Sequence, residues 1–226
     1  MTLSIVMPAL NEAAHIAAAL EALAPLRRRG AEVIVVDGGS RDGTPERAAP
    51  LADRVLAAPC GRAAQMNVGA AAAHGDVLLF LHADTRLPDD ADILIRDALA
   101  RSPRVWGRFD VRFAGNALRL VAAAMNLRSR ATGIATGDQA MFVTREAFAR
   151  AGGFPDIALM EDVALSARLK RLSRPLCLAA RVTTSPRRWQ AHGIVRTVLL
   201  MWRLRLAFFL GADPQRLARA YGHAAD

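Results

Sequence analysis

The first eighty residues alternate between short apolar runs and stretches of helical period. Residues 4–7 are an apolar run closed by Pro8. Over residues 11–30, Ile16, Leu20 and Leu23 share one helical face, Asn11 stands where an N-cap belongs, and Pro25 and Gly30 punctuate the end. Residues 32–37 form a continuous apolar strand ending on Asp37. A helix is expected over 44–52, a third short strand over 54–57, a helix over 61–73 and a fourth strand over 77–81. Strands alternating with helices in this order predict a parallel sheet with crossover connections.

The second half is less regular. Residues 105–113 alternate apolar and polar and predict an antiparallel strand. A helix is expected over 116–130, a strand over 139–144, a short glycine-ended helix over 145–154, a helix over 160–172 and a last strand over 176–185. A parallel α/β half running into a mixed half makes one coherent domain.

The strand ends carry the chemistry. The fourth run stops at His82, Ala83 and Asp84, and the second stops at Asp37 before Gly38 and Gly39. In an open α/β sheet, carboxylates at the carboxyl ends of strands lie where ligands bind. Parallel strands would bring the loops after the first, second and fourth runs to one edge. Glycines there let backbone approach a ligand, while Asp42 and Thr44 stand at a helix start with free N–H groups. A turn with a helix cap explains the second loop equally well on its own residues. The first loop, Pro8-Ala9-Leu10-Asn11-Glu12, lacks the GxGxxG of a dinucleotide fingerprint, and no Gly-Lys-Ser/Thr occurs, so the phosphate loop of the P-loop type is excluded.

Charge sharpens the division of the chain. The net charge is +9, yet residues 1–167 hold 18 arginines against 19 acids, while residues 168–226 hold 12 basic residues against 2 acids. The excess therefore lies in the last quarter of the chain. The chain has few aromatics, and Trp189, Trp202, Phe208, Phe209 and Tyr221 in this segment are not interleaved with its basic residues in the manner of a nucleic-acid binder. The apolar stretch 193–211 contains Arg196, Arg203 and Arg205, and each arginine at a bilayer centre costs about 2.5–3.5 kcal/mol on insertion scales, so it is not expected to span a membrane. Arg196 and Arg203 share a helical face with Arg205 opposite. The segment is expected either to touch a membrane surface or to pack on the domain or a second subunit. Two distant cysteines, Cys60 and Cys177, fit a reducing cytoplasm, and the N-terminus reads as a first strand with no leader signature.

Five ordered blocks, SIVMPALNEAAHI, VIVVDGGSRDGT, GRAAQMNVGAAAAHGDVLLFLHADT, TGDQAMFVTREAFARAGGFP and LMEDVALSARLKR, resemble the successive motifs of family 2 glycosyltransferases of the GT-A fold. The closing segment resembles a smaller bacterial branch sometimes associated with arsenosugar biosynthesis. The resemblance implies a Rossmann-like α/β mixed sheet flanked by helices. Its glycosyltransferase domain would span 1–190, with a nucleotide-sugar half to about 100 and an acceptor half beyond it. A basic helical tail would cover 191–226. It also implies an inverting hexosyltransferase that moves a sugar from a nucleotide-diphosphate donor to an acceptor hydroxyl; the cysteines add a cytoplasmic location, and the closing segment adds a contact with either the inner membrane face or a second subunit.

Carried over by position, Pro8, Ala9, Asn11 and Glu12 would line the nucleotide pocket. Asp37 would bond the base, with Ser40 and Asp42 near it and Arg62 near the ribose and diphosphate. Asp84, with His82 and Ala83 before it, would hold Mg²⁺ or Mn²⁺. His82 replaces the first aspartate of the family's D-x-D signature, and is read as a neutral hydrogen-bonding group rather than a ligand. Gly137, Asp138 and Gln139 would face the acceptor, as would Arg187, Arg188 and Trp189, whose arginines could also reach the diphosphate; His192 is a more distant candidate there. Asp162 would be the catalytic base and Glu161 its orienter or an acceptor ligand. Acids at a helix start also suit the helix dipole without any catalysis, and a non-catalytic nucleotide-binding protein of the same fold is the competing reading.

Overall fold

The computed structural model describes residues 1–222, without the side chains of Arg188 and His192. Its first half follows the predicted alternation: β1 (Leu3–Ala9), α1 (Ile16–Glu21), α2 (Ala24–Arg28), β2 (Glu32–Asp37), α3 (Thr44–Ala48), β3 (Arg54–Ala57), α4 (Arg62–Ala72) and β4 (Val77–Phe80). The second half holds β5 (Thr85–Arg86), α5 (Ala91–Ala100), β6 (Trp106–Phe113), α6 (Arg119–Thr132), a 3-10 turn at Gly137–Gln139, β7 (Phe142–Thr144), α7 (Arg145–Arg150), α8 (Glu161–Leu169) and β8 (Leu176–Thr184). Three helices close the described chain: α9 (Arg187–His192), α10 (Ile194–Phe209) and α11 (Pro214–Tyr221).

The eight strands form one mixed sheet in the order β3-β2-β1-β4-β7-β6-β8-β5. β1 is parallel to both β2 and β4, and β2 is parallel to β3. β7 runs antiparallel to β4 and β6, whereas β6 and β8 are parallel. Residues 105–113 thus meet the antiparallel expectation only on the β7 side.

Alternate strand residues feed two cores. Ile5, Met7, Val33, Val35 and Leu79 pack with Ile16, Leu20, Leu26, Ile95 and Leu99 on one face. Val6, Ile34, Val36, Leu78 and Phe80 pack with Met66, Ala70, Phe148 and Leu165 on the other. Burial on both faces explains why these strands read as unbroken apolar runs.

Local departures have physical reasons. The helix expected over 11–30 is two short helices, because Pro25 lies in the first turn of α2, where its missing N–H costs nothing. Asn11 is no N-cap: α1 starts after His15, and Asn11 takes a left-handed backbone (φ 52°) in the loop. Pro8 does not end β1. Pairing of β1 with β4 stops at Val6–Phe80, so the ladder has no use for an N–H at Pro8 on that side. The pattern Ala91, Ile95, Leu99, all buried at helical spacing, produces α5, an element the alternation did not flag.

The carboxyl ends of β1 and β2 are fastened by a buried amide. Gln65 of α4 donates from Nε2 to the carbonyls of Ala9 and Val36, each at 2.8 Å. A Cβ at Gly38 would lie 3.0 Å from that nitrogen, so Gly38 makes room for Gln65 rather than for a ligand. Gln65→Leu keeps the volume and removes the side-chain donor from both carbonyls, although Ala9 O keeps the Gly38 N–H at 2.9 Å. It should cost about 1–3 kcal/mol in urea unfolding, the range for lost buried hydrogen bonding; a loss below 0.5 kcal/mol (on the order of surface-substitution noise) would refute this role.

Candidate active site

The three strand-end loops do converge. Asn11 N–H donates to Ser40 Oγ at 2.8 Å, and the Arg41 N–H donates to Asn11 Oδ1 at 3.0 Å. Glu12 N–H donates to Thr44 Oγ1 at 2.9 Å, and Ala13 N–H to Asp42 Oδ2 at 2.9 Å. The Asp42 carboxyl also accepts the Thr44 hydroxyl, which comes first among the contacts holding it below the usual carboxylate range. Asn11, Ser40 and Asp42 therefore stitch the first loop to the second. Pro8 and Ala9 lie buried in β1 beneath them.

Asp37 is built differently. Its Oδ2 accepts the N–H groups of Gly39 and Ser40, both at 2.9 Å, while its buried Oδ1 has no partner among the described residues. A buried carboxylate oxygen is costly unless paired, so this atom is a ready acceptor for a ligand N–H.

Asp84 stands at the end of the third loop beside buried Ala83, and among the described residues its carboxylate accepts one hydrogen bond, from the Thr85 hydroxyl at 3.2 Å. Arg187, from the start of α9, reaches back across the molecule: its Nη2 lies 3.6 Å from Glu12 and 3.8 Å from Asp84. Arg187 thus sits with the strand-end loops. Its neighbour Trp189 packs edge-on against Phe113 at 5.6 Å, away from the loops. The Arg188 and His192 side chains fall outside the described residues.

Deeper in the cleft, a cavity of about 70 Å³ is lined by His82, Arg62, Gly137, Asp138, Asp162 and Arg205, with Thr136, Leu159, Met160, Val163, Met201 and Tyr221 completing the wall. This is room for about two waters. His82 lies on Gly137, where any Cβ would come within 2.4 Å of the ring, and its Nδ1 is 4.0 Å from Asp138. Burial, with Asp84 and Asp162 as like charges, raises the Asp138 pKa, while His82 and Arg62 oppose the rise. Gln139 is buried and linked to Asn126, so of the Gly137–Gln139 turn only Gly137 and Asp138 face the cavity.

Glu161 and Asp162 open α8 but do different things. Asp162 accepts the Gly137 N–H at 2.8 Å and the Val163 N–H at 2.7 Å, which fix both carboxylate oxygens on the cavity wall. Glu161 turns inward, 3 % exposed, and pairs with Arg62 Nε at 3.0 Å. It orients Arg62 rather than its neighbour. Met160 just before them has φ 70°. Among the described residues the non-glycine positions with left-handed backbone are Asn11, Ala140 and Met160, and each lies in a loop of this cleft. Strain of that kind collects where side chains must be aimed.

Two arginines that sequence spacing did not nominate complete the site. Arg205 of α10 lines the cavity, and Arg128 of α6 lies beside it. Burial, then the Arg205 charge, lowers Arg128 to about 10. Burial likewise lowers Arg205, with Asp162 and Asp138 as its favourable partners. The available signal was Arg205 itself, a charge alone on the opposite side of an apolar helix from Arg196 and Arg203.

A metal has a fitting place here. Among the described residues no three His, Cys, Asp or Glu side chains converge to hold an ion unaided. Asp84 instead offers one lightly bonded carboxylate at the mouth of the loops, which suits a Mg²⁺ or Mn²⁺ that takes its other ligands from phosphate and water.

Comparison with known proteins agrees with this layout. The family model described as glycosyl transferase family 2 matches residues 4–150. The succinoglycan biosynthesis protein ExoA of Rhizobium meliloti (strain 1021) is 40% identical over 111 residues, covering 42% of this chain and 32% of ExoA, so the match spans about a third of that relative's length. S. aureus TarS 1–349, solved with UDP-GlcNAc, superposes with a TM-score of 0.68 at 18% identity over 82% of this chain and 58% of the other. The mannosyltransferase PcManGT from Pyrobaculum calidifontis, in complex with GDP-Man and Mn²⁺, gives 0.63 at 22% identity over 97% and 68%. These structural likenesses establish the fold as that of GT-A glycosyltransferases.

The Glu161 carboxyl generates a pH prediction. Burial above all, then Asp162, against the pull of Arg62, raises it to about 7 from the ordinary 4.5. The folded chain therefore holds this proton more tightly than the unfolded chain. The stability it confers is full below about 4.5 and is lost as pH climbs to about 7. Measured by parallel urea titrations, wild-type stability relative to Glu161→Gln should decline across that window by up to ~3 kcal/mol. A gap that stays constant with pH would contradict it.

Proposed function

The chain belongs to glycosyl transferase family 2, and from that premise we propose that it is an inverting, metal-assisted glycosyltransferase moving a hexose from a nucleotide-diphosphate sugar to an acceptor hydroxyl. The narrower bacterial branch resembled by the closing segment is part of the same proposal. So is the division into a catalytic unit over 1–190 and an α-helical segment beyond it. The observation that carries the reading is Asp162, a carboxylate fixed by two backbone N–H groups in one cavity with Arg62 and His82, which close it from the strand-end side.

In this proposal Asp37 receives an N–H of the base on its unpaired Oδ1, as the bound nucleotides of the TarS and PcManGT structures lead one to expect of a related pocket. Asp84 would hold Mg²⁺ or Mn²⁺, as suits a neighbour solved with Mn²⁺. When bound, the ion offsets the negative charge that grows on the departing diphosphate. The chain's own residues do the rest. Asp162 takes the proton from the acceptor hydroxyl, whose oxygen forms the new bond to the anomeric carbon as the sugar–phosphate bond breaks. The electron pair leaves on the diphosphate, near Arg187. One displacement at one centre inverts its configuration. Glu161 keeps Arg62 in place, and Asp138 with His82 borders the space left for the acceptor. The free thiols of Cys60 and Cys177 fit a cytoplasmic location at the inner face of a membrane.

Two measurements test the reading. Asp162→Asn keeps one of the two backbone bonds and removes the basicity. It should cut sugar transfer by about 10²–10⁴-fold, the usual contribution of a general base, and leave nucleotide affinity within a few-fold. Wild-type transfer by this variant would leave Asp162 as no more than an acid suited to a helix start, and lost nucleotide binding would move Asp162 to the donor side. Asp84→Ala should abolish the rise in UDP or GDP affinity on adding Mn²⁺. Full wild-type activity in excess chelator would refute the metal's part.

A further inference from the structure

The helix that closes the cavity has two unlike faces. Inward, Leu204 and Thr197 are buried, Leu200, Ala207 and Phe208 pack against Leu159, Met160 and Leu217, and Met201 with Arg205 lines the cavity. Outward, Val195, Leu199, Trp202, Leu206 and Phe209 follow one another at spacings of four, three, four and three and are all exposed, Trp202 at 71% and Phe209 at 86%. At about 100° per residue they make one straight stripe. Monomeric proteins seldom leave so much contiguous apolar surface to water.

The charge around this surface identifies its occupant. Exposed Arg196 and Arg203 edge the α10 stripe, and no acid occurs on that helix. A second copy related by a two-fold axis would bring these arginines against their own kind. An anionic lipid surface would accept the stripe into its apolar boundary and the arginines at its headgroups. α10 is 16 residues, and no helix of the described residues is long and apolar enough to cross a membrane, so the helix would lie flat.

We propose that the outward face of α10 forms a docking surface for anionic lipid bilayers. This rests on the location assigned above and not on the transfer chemistry. Docking would set the cavity one helix diameter, about 10 Å, from the lipid, because the helix that meets the bilayer also lines the cavity.

Flotation with phosphatidylglycerol–phosphatidylcholine vesicles tests the surface, alongside light scattering and nucleotide-induced thermal shift. The wild type should float with these vesicles at low salt, more weakly at high salt, and poorly with phosphatidylcholine alone. The double variant Trp202→Gln, Phe209→Gln should bind about tenfold more weakly or less, since it loses two large apolar side chains. Arg196→Gln with Arg203→Gln should lose the preference for the anionic lipid and retain the weak neutral binding. Both should melt and respond to UDP or GDP as the wild type does, because neither touches the cleft. A wild type that ignores the anionic vesicles overturns the proposal. So does a wild-type dimer that the Trp202/Phe209 variant makes monomeric, which would assign the stripe to a second copy. Loss of the nucleotide response in the wild type would count against the transferase reading and leave the vesicle result standing.

Discussion

The cleft depends on β1 lying between β2 and β4 with all three strands parallel. Parallel pairing makes each of these strands end on the same side, so Glu12, Asp37 and Asp84, distant in sequence, come to one edge. The register is protected on both faces, since a one-residue slip of β1 would exchange Ile5 and Met7 for Val6 across two separate cores. Gln65 then pins the ends of β1 and β2 from below, and the Asn11–Ser40 and Ala13–Asp42 bonds tie the loops above.

Gathering carboxylates in one place creates an electrostatic cost that the rest of the fold answers. Burial above all raises the proton affinity of Asp138 and Glu161; Asp84 and Asp162 add to it at Asp138, and Asp162 adds to it at Glu161. The compensating cations come from four separate elements: Arg62 on α4, Arg128 on α6, Arg187 on α9 and Arg205 on α10. Arg62, Arg128 and Arg205 are held in partial burial, where arginine stays charged while a lysine would tend to lose its proton; Arg187 is exposed. The composition fits, since the chain has a single lysine, Lys170, among its 30 basic residues. Two backbone N–H groups hold the Asp162 carboxylate on the cavity wall.

How much of this was legible beforehand divides by the range of the interaction. Strand runs buried on both faces are continuous in sequence, so β1 to β4 and the convergence of their loops could be read directly. The strand-end acids Asp37 and Asp84 were legible for the same reason. Roles within the loops were not: Asn11 and Asp42 have the composition of ligand-facing residues, yet their side chains bond backbone across 29 or 30 positions, which no local pattern records. Glu161 and Asp162 are adjacent and chemically alike, and only the left-handed turn at Met160 decides that one points into the protein and the other to the cavity. α5 does not stand out as an alternation of strand and helix, although Ala91, Ile95 and Leu99 keep a spacing of four.

The C-terminal helices show why charge counts over long windows mislead. The excess of +10 beyond residue 168 reads as one basic tail, but the residues that compose it have opposite destinations. Arg187 and Arg205 turn inward to a cleft rich in acids, so within the folded molecule they are neutralised. Arg196 and Arg203 turn outward beside the apolar stripe and keep their charge for whatever approaches. Helical periodicity separates the two sets: Arg205 lies two positions from Arg203, which at about 100° per residue is nearly the far side of the helix. A segment that looked like an appendage is therefore a wall of the cavity on one side and an exposed basic, apolar surface on the other. Neither role can change without moving the backbone that serves the other.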